Sequence, residues 1–181
     1  MQIDIESLER AAQDAVAPAT VESHADWLLP FDRTTIGRAI SPVPLKHDLV
    51  DSASIAAIGA IYLQRAYRVQ FRVADAAGLQ GVHRALRERG YAPQQPTLTM
   101  TGNVRGWSPA RADWTVQLTQ QASQVWKSAY LSAGFDPVDG ANRIQALSRS
   151  TCLVYAHISD ASGAVAAGTA SLSQGWEVCM D

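Results

Sequence analysis

Residues 151–180 read TCLVYAHISD ASGAVAAGTA SLSQGWEVCM, and they divide into three strand-like runs and two turns. Thr151 to Ile158 is apolar on both faces, as a central strand is. Asp160-Ala161-Ser162-Gly163 has the chemistry of a hairpin turn. Val165 to Leu172 is a strand of small residues, Gln174-Gly175 is a second turn, and Trp176 to Met180 opens a third strand. The spacing predicts that residues 151–158 and 164–173 pair antiparallel.

Upstream, Trp114, Val116 and Leu118 alternate as a strand. Thr119 is placed to cap a helix whose Ala122, Val125, Trp126, Ala129, Tyr130 and Ala133 form one stripe, and Gly134 ends it. Phe135-Asp136-Pro137 is a loop. Asp139 is placed to cap a further helix, with Ile144 and Leu147 inward. The apolar stripe predicts that the helices of residues 119–133 and 139–149 lie against the sheet that holds the strands starting at Trp114 and Thr151.

The segment Gly102 to Asp113 carries Gly, Asn, Ser and Pro close together and reads as a linker. It separates two units, residues 1–104 and 113–181. In the first, Ile3 to Ala17 is helical, with Ile5, Leu8, Ala12 and Ala15 on one face and Pro18 after it. Trp27 to Phe31 is a short apolar run, and Thr35 to Leu45 reads as a second strand with Pro42 and Pro44 at an edge. A helix from Asp51-Ser52 to about Tyr67 shows Ile55, Ile58, Tyr62 and Leu63. Val69, Phe71 and Val73 alternate with arginines and a glutamine as a half-buried strand. Leu79, Val82, His83 and Leu86 have helical spacing, Gly90 follows as a C-cap glycine, and Thr97 to Val104 reads as a strand.

Composition sets bounds. The chain has 181 residues, against roughly 150 for an average domain. Apolar residues make up 47% and charged residues 18%, the balance of a globular chain able to bury a core. Fifteen basic and seventeen acidic residues leave a net charge of −2, so the broad positive field of a nucleic-acid binder is absent. Cys152 and Cys179 make no disulfide framework, and four scattered histidines give no metal-ligand spacing. No basic-then-apolar leader opens the sequence, and no uncharged run reaches the ~18–20 residues of a membrane span. The cytoplasm is the expected location, with no membrane and no nucleic acid among the expected partners.

The order from Trp114 onward, strand, helix, helix, strand, strand, strand, resembles the first half of the GNAT superfamily of N-acetyltransferases. Val165-Ala166-Ala167-Gly168-Thr169-Ala170-Ser171 followed by Gly175-Trp176 is similar to the third and fourth strands of bacterial members. The leading part resembles the degenerate N-terminal unit of long bacterial GNAT proteins in Trp27-Leu28-Leu29, Arg38 to Leu45, Arg89-Gly90-Tyr91 and Pro96 to Thr101. The resemblance implies an α/β fold with a mixed, largely antiparallel sheet flanked by helices, the second GNAT unit being incomplete. It implies acetyl-CoA as cofactor and direct attack of a substrate amine on the thioester, the acceptor being a small-molecule or peptide amine.

The same resemblance assigns candidate site residues. Glu177 matches the fourth-strand glutamate that deprotonates the amine in many members; the alternative is a solvated strand carboxylate. Trp126, Tyr130 and Phe135 fall in the region that walls the acceptor site, with core packing as the alternative for Trp126 and Tyr130. The family cradles pyrophosphate with a Gln/Arg-x-x-Gly-x-Gly/Ala loop opening a helix. Arg33 to Ala39 is one residue too long for it, and Arg87-Glu88-Arg89-Gly90 stands where a helix should end. The expectation is therefore a protein cut before its cofactor loop, or a non-catalytic GNAT-derived binding or interaction module whose exposed last strand is covered by a partner or by a second copy, with a non-functional remnant of a truncated gene as the third alternative. A reading frame that resumes after Asp181 with the cofactor-loop pattern would favour the first.

Overall fold

The computed structural model describes residues 3–48, 52–103, 114–161 and 163–180. The protein is mixed α/β with two antiparallel sheets. Helix α1 spans Ile5–Val16, and the Asp4 carboxylate caps it by accepting from the Ser7 N–H. Strands β1 (Thr20–His24), β2 (Trp27–Phe31) and β3 (Val43–Pro44) form the first sheet, in that order. Helices α2 (Ser54–Gln64) and α3 (Gln80–Glu88) follow. The second sheet has the order β4 (Gln117–Thr119), β5 (Leu153–Asp160), β6 (Gly163–Ser173), β7 (Trp176–Met180). Helices α4 (Gln124–Tyr130) and α5 (Pro137–Leu147) lie between β4 and β5 in the chain.

The hairpin read from residues 151–173 is present. β5 and β6 pair antiparallel from Leu153↔Ser171 to Asp160↔Gly163, with an irregularity between Ile158 and Ser159. β7 pairs with β6 from Thr169↔Met180 to Ser173↔Trp176. The Gln174-Gly175 turn puts both residues at positive φ, 54° and 78°, which glycine adopts freely and glutamine does not. The helix starts differ from those the expected capping residues suggested: α4 begins later and α5 earlier. Ser123, rather than Thr119, caps α4, because Thr119 belongs to β4. Asp136, rather than Asp139, caps α5, accepting from the N–H groups of Val138 and Asp139, with Pro137 at the first helical position, where no N–H is needed.

Three strand assignments are corrected. Thr35 to Leu45 holds a 3-10 turn at Gly37–Ala39, and only Val43–Pro44 join the ladder; Pro42 and Pro44 have no N–H for a longer one. Val69, Phe71 and Val73 do pack against the first core, but residues 67–76 form no ladder. Thr97 to Asn103 is neither strand nor buried; Leu98 is 88% exposed. Val104 lies outside the described residues, as does most of the linker read at Gly102 to Asp113.

The first core joins Trp27, Leu29 and Phe31 of β2 to Ile55, Ile58 and Tyr62 of α2 and to Val82, Ala85 and Leu86 of α3. The second joins Trp126 and Tyr130 of α4 to Leu147 of α5 and to Leu153 and Tyr155 of β5. α1 packs against β6 and β7, so the N-terminal helix covers part of the C-terminal sheet. The Trp176 indole donates to the Ser7 hydroxyl across 2.7 Å. Asp32 and Arg149 form an ion pair between the end of β2 and the residues after α5. Among the described residues no helix is long and apolar enough to cross a membrane.

Candidate functional site

Strand alternation sorts the second sheet into two faces. Tyr155, Thr169 and Ser171 lie on one face and are buried there. Trp126 packs on that face: its ring meets the Tyr155 ring edge-on at 5.0 Å, and its Nε1 donates to the Gly168 carbonyl across 2.9 Å. Leu172 and Glu177, which are register partners, lie on the opposite face. That face leaves Leu118, Leu172, Glu177 and Cys179 exposed.

The sequence-derived candidates are thus not assembled into one pocket. Trp126 is fully buried and Tyr130 nearly so, their rings 4.7 Å apart, which makes both core residues. Phe135, in the loop between α4 and α5, is 62% exposed. Glu177 is exposed on β7, on the face turned away from Trp126. Its neighbour Cys179 is no ready nucleophile: partial burial and then the Glu177 charge push its thiol above the ordinary value.

Arg87-Glu88-Arg89-Gly90-Tyr91-Ala92 carries the letters Arg-x-x-Gly-x-Ala in full. Its geometry is the reverse of a phosphate cradle. α3 ends at Glu88, and Gly90 sits at φ +84°. The N–H groups of Arg89 and Tyr91 donate to the Leu86 carbonyl and that of Gly90 to the Arg87 carbonyl. Three consecutive donors are spent closing a helix, so none is left for a phosphate. The residues do not fit a pyrophosphate there.

One concave feature is not suggested by the sequence. A cavity of about 410 Å³ opens between the end of α1, the start of β1, the residues after α5 and the Ser173 end of β6. Its polar walls are Gln13, Asp14, Arg149, Ser150, Cys152 and Ser173, with Ala17, Pro18 and Val21 as the apolar side. Asp14 is the hub. Its carboxylate accepts from the Ser173 hydroxyl, and its main-chain carbonyl accepts from the Ser150 hydroxyl at 3.1 Å and the Cys152 thiol at 3.8 Å. Arg149 is committed elsewhere: Nε donates to the Ala17 carbonyl at 3.1 Å and Nη2 to Asp32. Three stretches of chain far apart in sequence, 13–21, 149–152 and Ser173, build this cavity, so no spacing within the sequence marks it.

Among the described residues no group of three His, Cys, Asp or Glu side chains is arranged to hold a metal ion. Comparisons of the chain with protein-family models, with curated proteins and with solved structures find no match in any of the three. The class that the fold defines is therefore the mixed α/β protein with two antiparallel sheets.

Proposed function

We propose that the chain is part of a GNAT-family, acetyl-CoA-dependent N-acetyltransferase that acts on an amine. The observation that carries this reading is the second unit: β4, then α4 and α5, then β5, β6 and β7, in an all-antiparallel sheet of order β4-β5-β6-β7. α4 packs on one face of that sheet, and the order of elements is the one the sequence resemblance implies. Glu177, an exposed carboxylate on β7, is the candidate that the sequence resemblance offers as general base. Phe135 is an exposed aromatic available to an acceptor. The described residues hold no pyrophosphate cradle, so no step of acetyl transfer is assigned to them.

The test is acetyl transfer by the product of the reading frame followed past Asp181. Release of free thiol from acetyl-CoA is measured against a panel of amines. The reading expects amine-dependent turnover, with Glu177→Gln lowering kcat at least tenfold while KM for acetyl-CoA holds. No turnover with any amine counts against it.

A second reading, a non-catalytic module that binds a partner or its own copy, is favoured by one feature. Among the described residues β7 pairs only with β6, so its outer edge has no strand partner. Sedimentation of the chain across a hundredfold concentration range checks it, a dimer supporting the module and a monomer throughout opposing it.

A further inference from the structure

We infer that the cavity between α1, β1, α5 and β6 is a binding site for a small aliphatic ammonium group, held by Asp14. The inference goes beyond the acetyltransferase reading and does not rest on it. α5 runs from Pro137, two residues after Phe135, to Leu147, two residues before Arg149 at the cavity, and its 11 residues span about 16 Å. The cavity and Phe135 are therefore at opposite ends of that helix.

Asp14 has no cationic partner among the described residues, and Ser173 satisfies only one of its carboxylate oxygens. Gln13, 2% exposed, backs the same cavity; its Nε2 donates to the Arg38 carbonyl, and its Oε1 is sealed from solvent, so the acceptor open to a ligand is the Asp14 carboxylate. The one cation on the wall, Arg149, is turned onto Asp32 and the Ala17 carbonyl. The cavity is thus left with one exposed carboxylate whose charge no cation among the described residues neutralises. A donor-rich cation is the ligand that complements it.

The backbone adds to the same sign. Asp14 stands in the last turn of α1, where the partial negative charge of the helix end is concentrated. That turn holds no basic residue. An aspartate there runs against the usual preference for Lys or Arg, and such a local conflict is resolved when a bound cation supplies the missing charge. Ala17, Pro18 and Val21 offer an apolar wall for the carbon chain that carries the ammonium. A volume of about 410 Å³ is in the range of small-molecule sites. A free small amine and the side chain of a lysine share this chemistry.

The test is a titration of the isotopically labelled chain, followed by the amide signals of Asp14, Ser150, Cys152 and Ser173. The probes are 1,4-diaminobutane, Nα-acetyl-lysine methylamide and, as the uncharged match, butane-1,4-diol. The ammonium probes should move those four signals saturably below about 10 mM, and the tighter of the two identifies the source. The diol should not move them. Asp14→Asn, which keeps the shape, should weaken binding at least tenfold. Ser173→Ala, which removes the hydroxyl tie and keeps the charge, should preserve it. The inference is overturned if neither amine gives a saturable shift at these residues, if the diol binds as tightly as the diamine, or if Asp14→Asn leaves the affinity unchanged. The comparison of diamine with diol uses the unaltered chain, so it decides the matter even if Asp14→Asn fails to fold.

Discussion

Trp126 and Gly168 are joined by a hydrogen bond, the indole Nε1 donating across 2.9 Å to a carbonyl in the middle of β6. The bond pins α4 to the covered face of the second sheet. It also fixes what Trp126 does, because a fully buried ring that packs on Tyr130 and Tyr155 has no surface left for a ligand. Trp126→Phe should cost about 1–3 kcal/mol, from a strand carbonyl left without its donor and a small void. Trp126→Ala should cost about 3–5 kcal/mol. Phe135→Ala, on an exposed loop, should stay within about 0.5 kcal/mol. Urea unfolding of the three variants checks the contrast, and equal losses at Trp126 and Phe135 would contradict it.

Gly140 sits where α5 crosses the end of α4. A Cβ there would lie 2.0 Å from the Tyr130 carbonyl oxygen, and that obstacle is backbone. Gly140→Ala should therefore destabilise by about 1–3 kcal/mol or more, although alanine is the better helix former by roughly 1 kcal/mol. Gly59, with open space around its Cβ position in α2, is the control. Gly59→Ala should be neutral or stabilising by chemical denaturation.

Tyr62 is buried between β2 and α2, its hydroxyl donating to the Pro30 carbonyl across 2.7 Å. Burial raises its pKa well above the ordinary value of 10.0. The native state holds this proton more tightly than the unfolded chain does. The contribution is therefore whole below pH 10 and fades as pH rises above it. Tyr62→Phe should lower stability by about 1–2 kcal/mol at neutral pH and flatten the fall on the alkaline side. A curve of unfolding free energy against pH, from 7 to 11, measures both.

Asp32 is the polar keystone between the two units. Its buried carboxylate accepts from the N–H groups of Ala19 and Thr34, each at 2.8 Å, and from Arg149. Asp32→Ala leaves two backbone donors and a guanidinium without their acceptor, and should cost about 3 kcal/mol. Arg149→Ala should cost less, because the two N–H bonds still hold the carboxylate. A double-mutant cycle on the pair gives the coupling, and additive losses would show that the ion pair contributes nothing.

The C-terminal unit was legible because its signals are local. Residues 153–160 and 163–173 differ in apolarity around a turn that carries Asp160 and Gly163, and Trp126, Tyr130 and Leu147 fall on the faces that the helical period assigns. The N-terminal unit misled where alternation meant packing without pairing. Val69, Phe71 and Val73 turn alternate side chains to the core, while the Arg72 N–H reaches a single carbonyl, that of Pro42. Leu98 and Met100 alternate and yet face solvent, since period alone does not say whether a surface exists to receive them. The cleft around Asp14 was invisible because Ser150 and Ser173 reach it from more than 130 residues away along the chain. Arg87 to Ala92 shows the opposite error, the right letters on the wrong end of a helix.

Calorimetric titration with acetyl-CoA at physiological salt, of residues 1–181 and of the chain carried on through a Gln/Arg-x-x-Gly-x-Gly/Ala segment, tests the acetyltransferase reading most directly. The N–H groups around Gly90 are spent on the end of α3, and exposed arginines are worth about 0–1 kcal/mol each to a phosphate in salt. Residues 1–181 should therefore give no saturable heat, and the longer chain should bind in the low micromolar range, about 8 kcal/mol. Low-micromolar binding by residues 1–181 alone, or none by the longer chain, would contradict it.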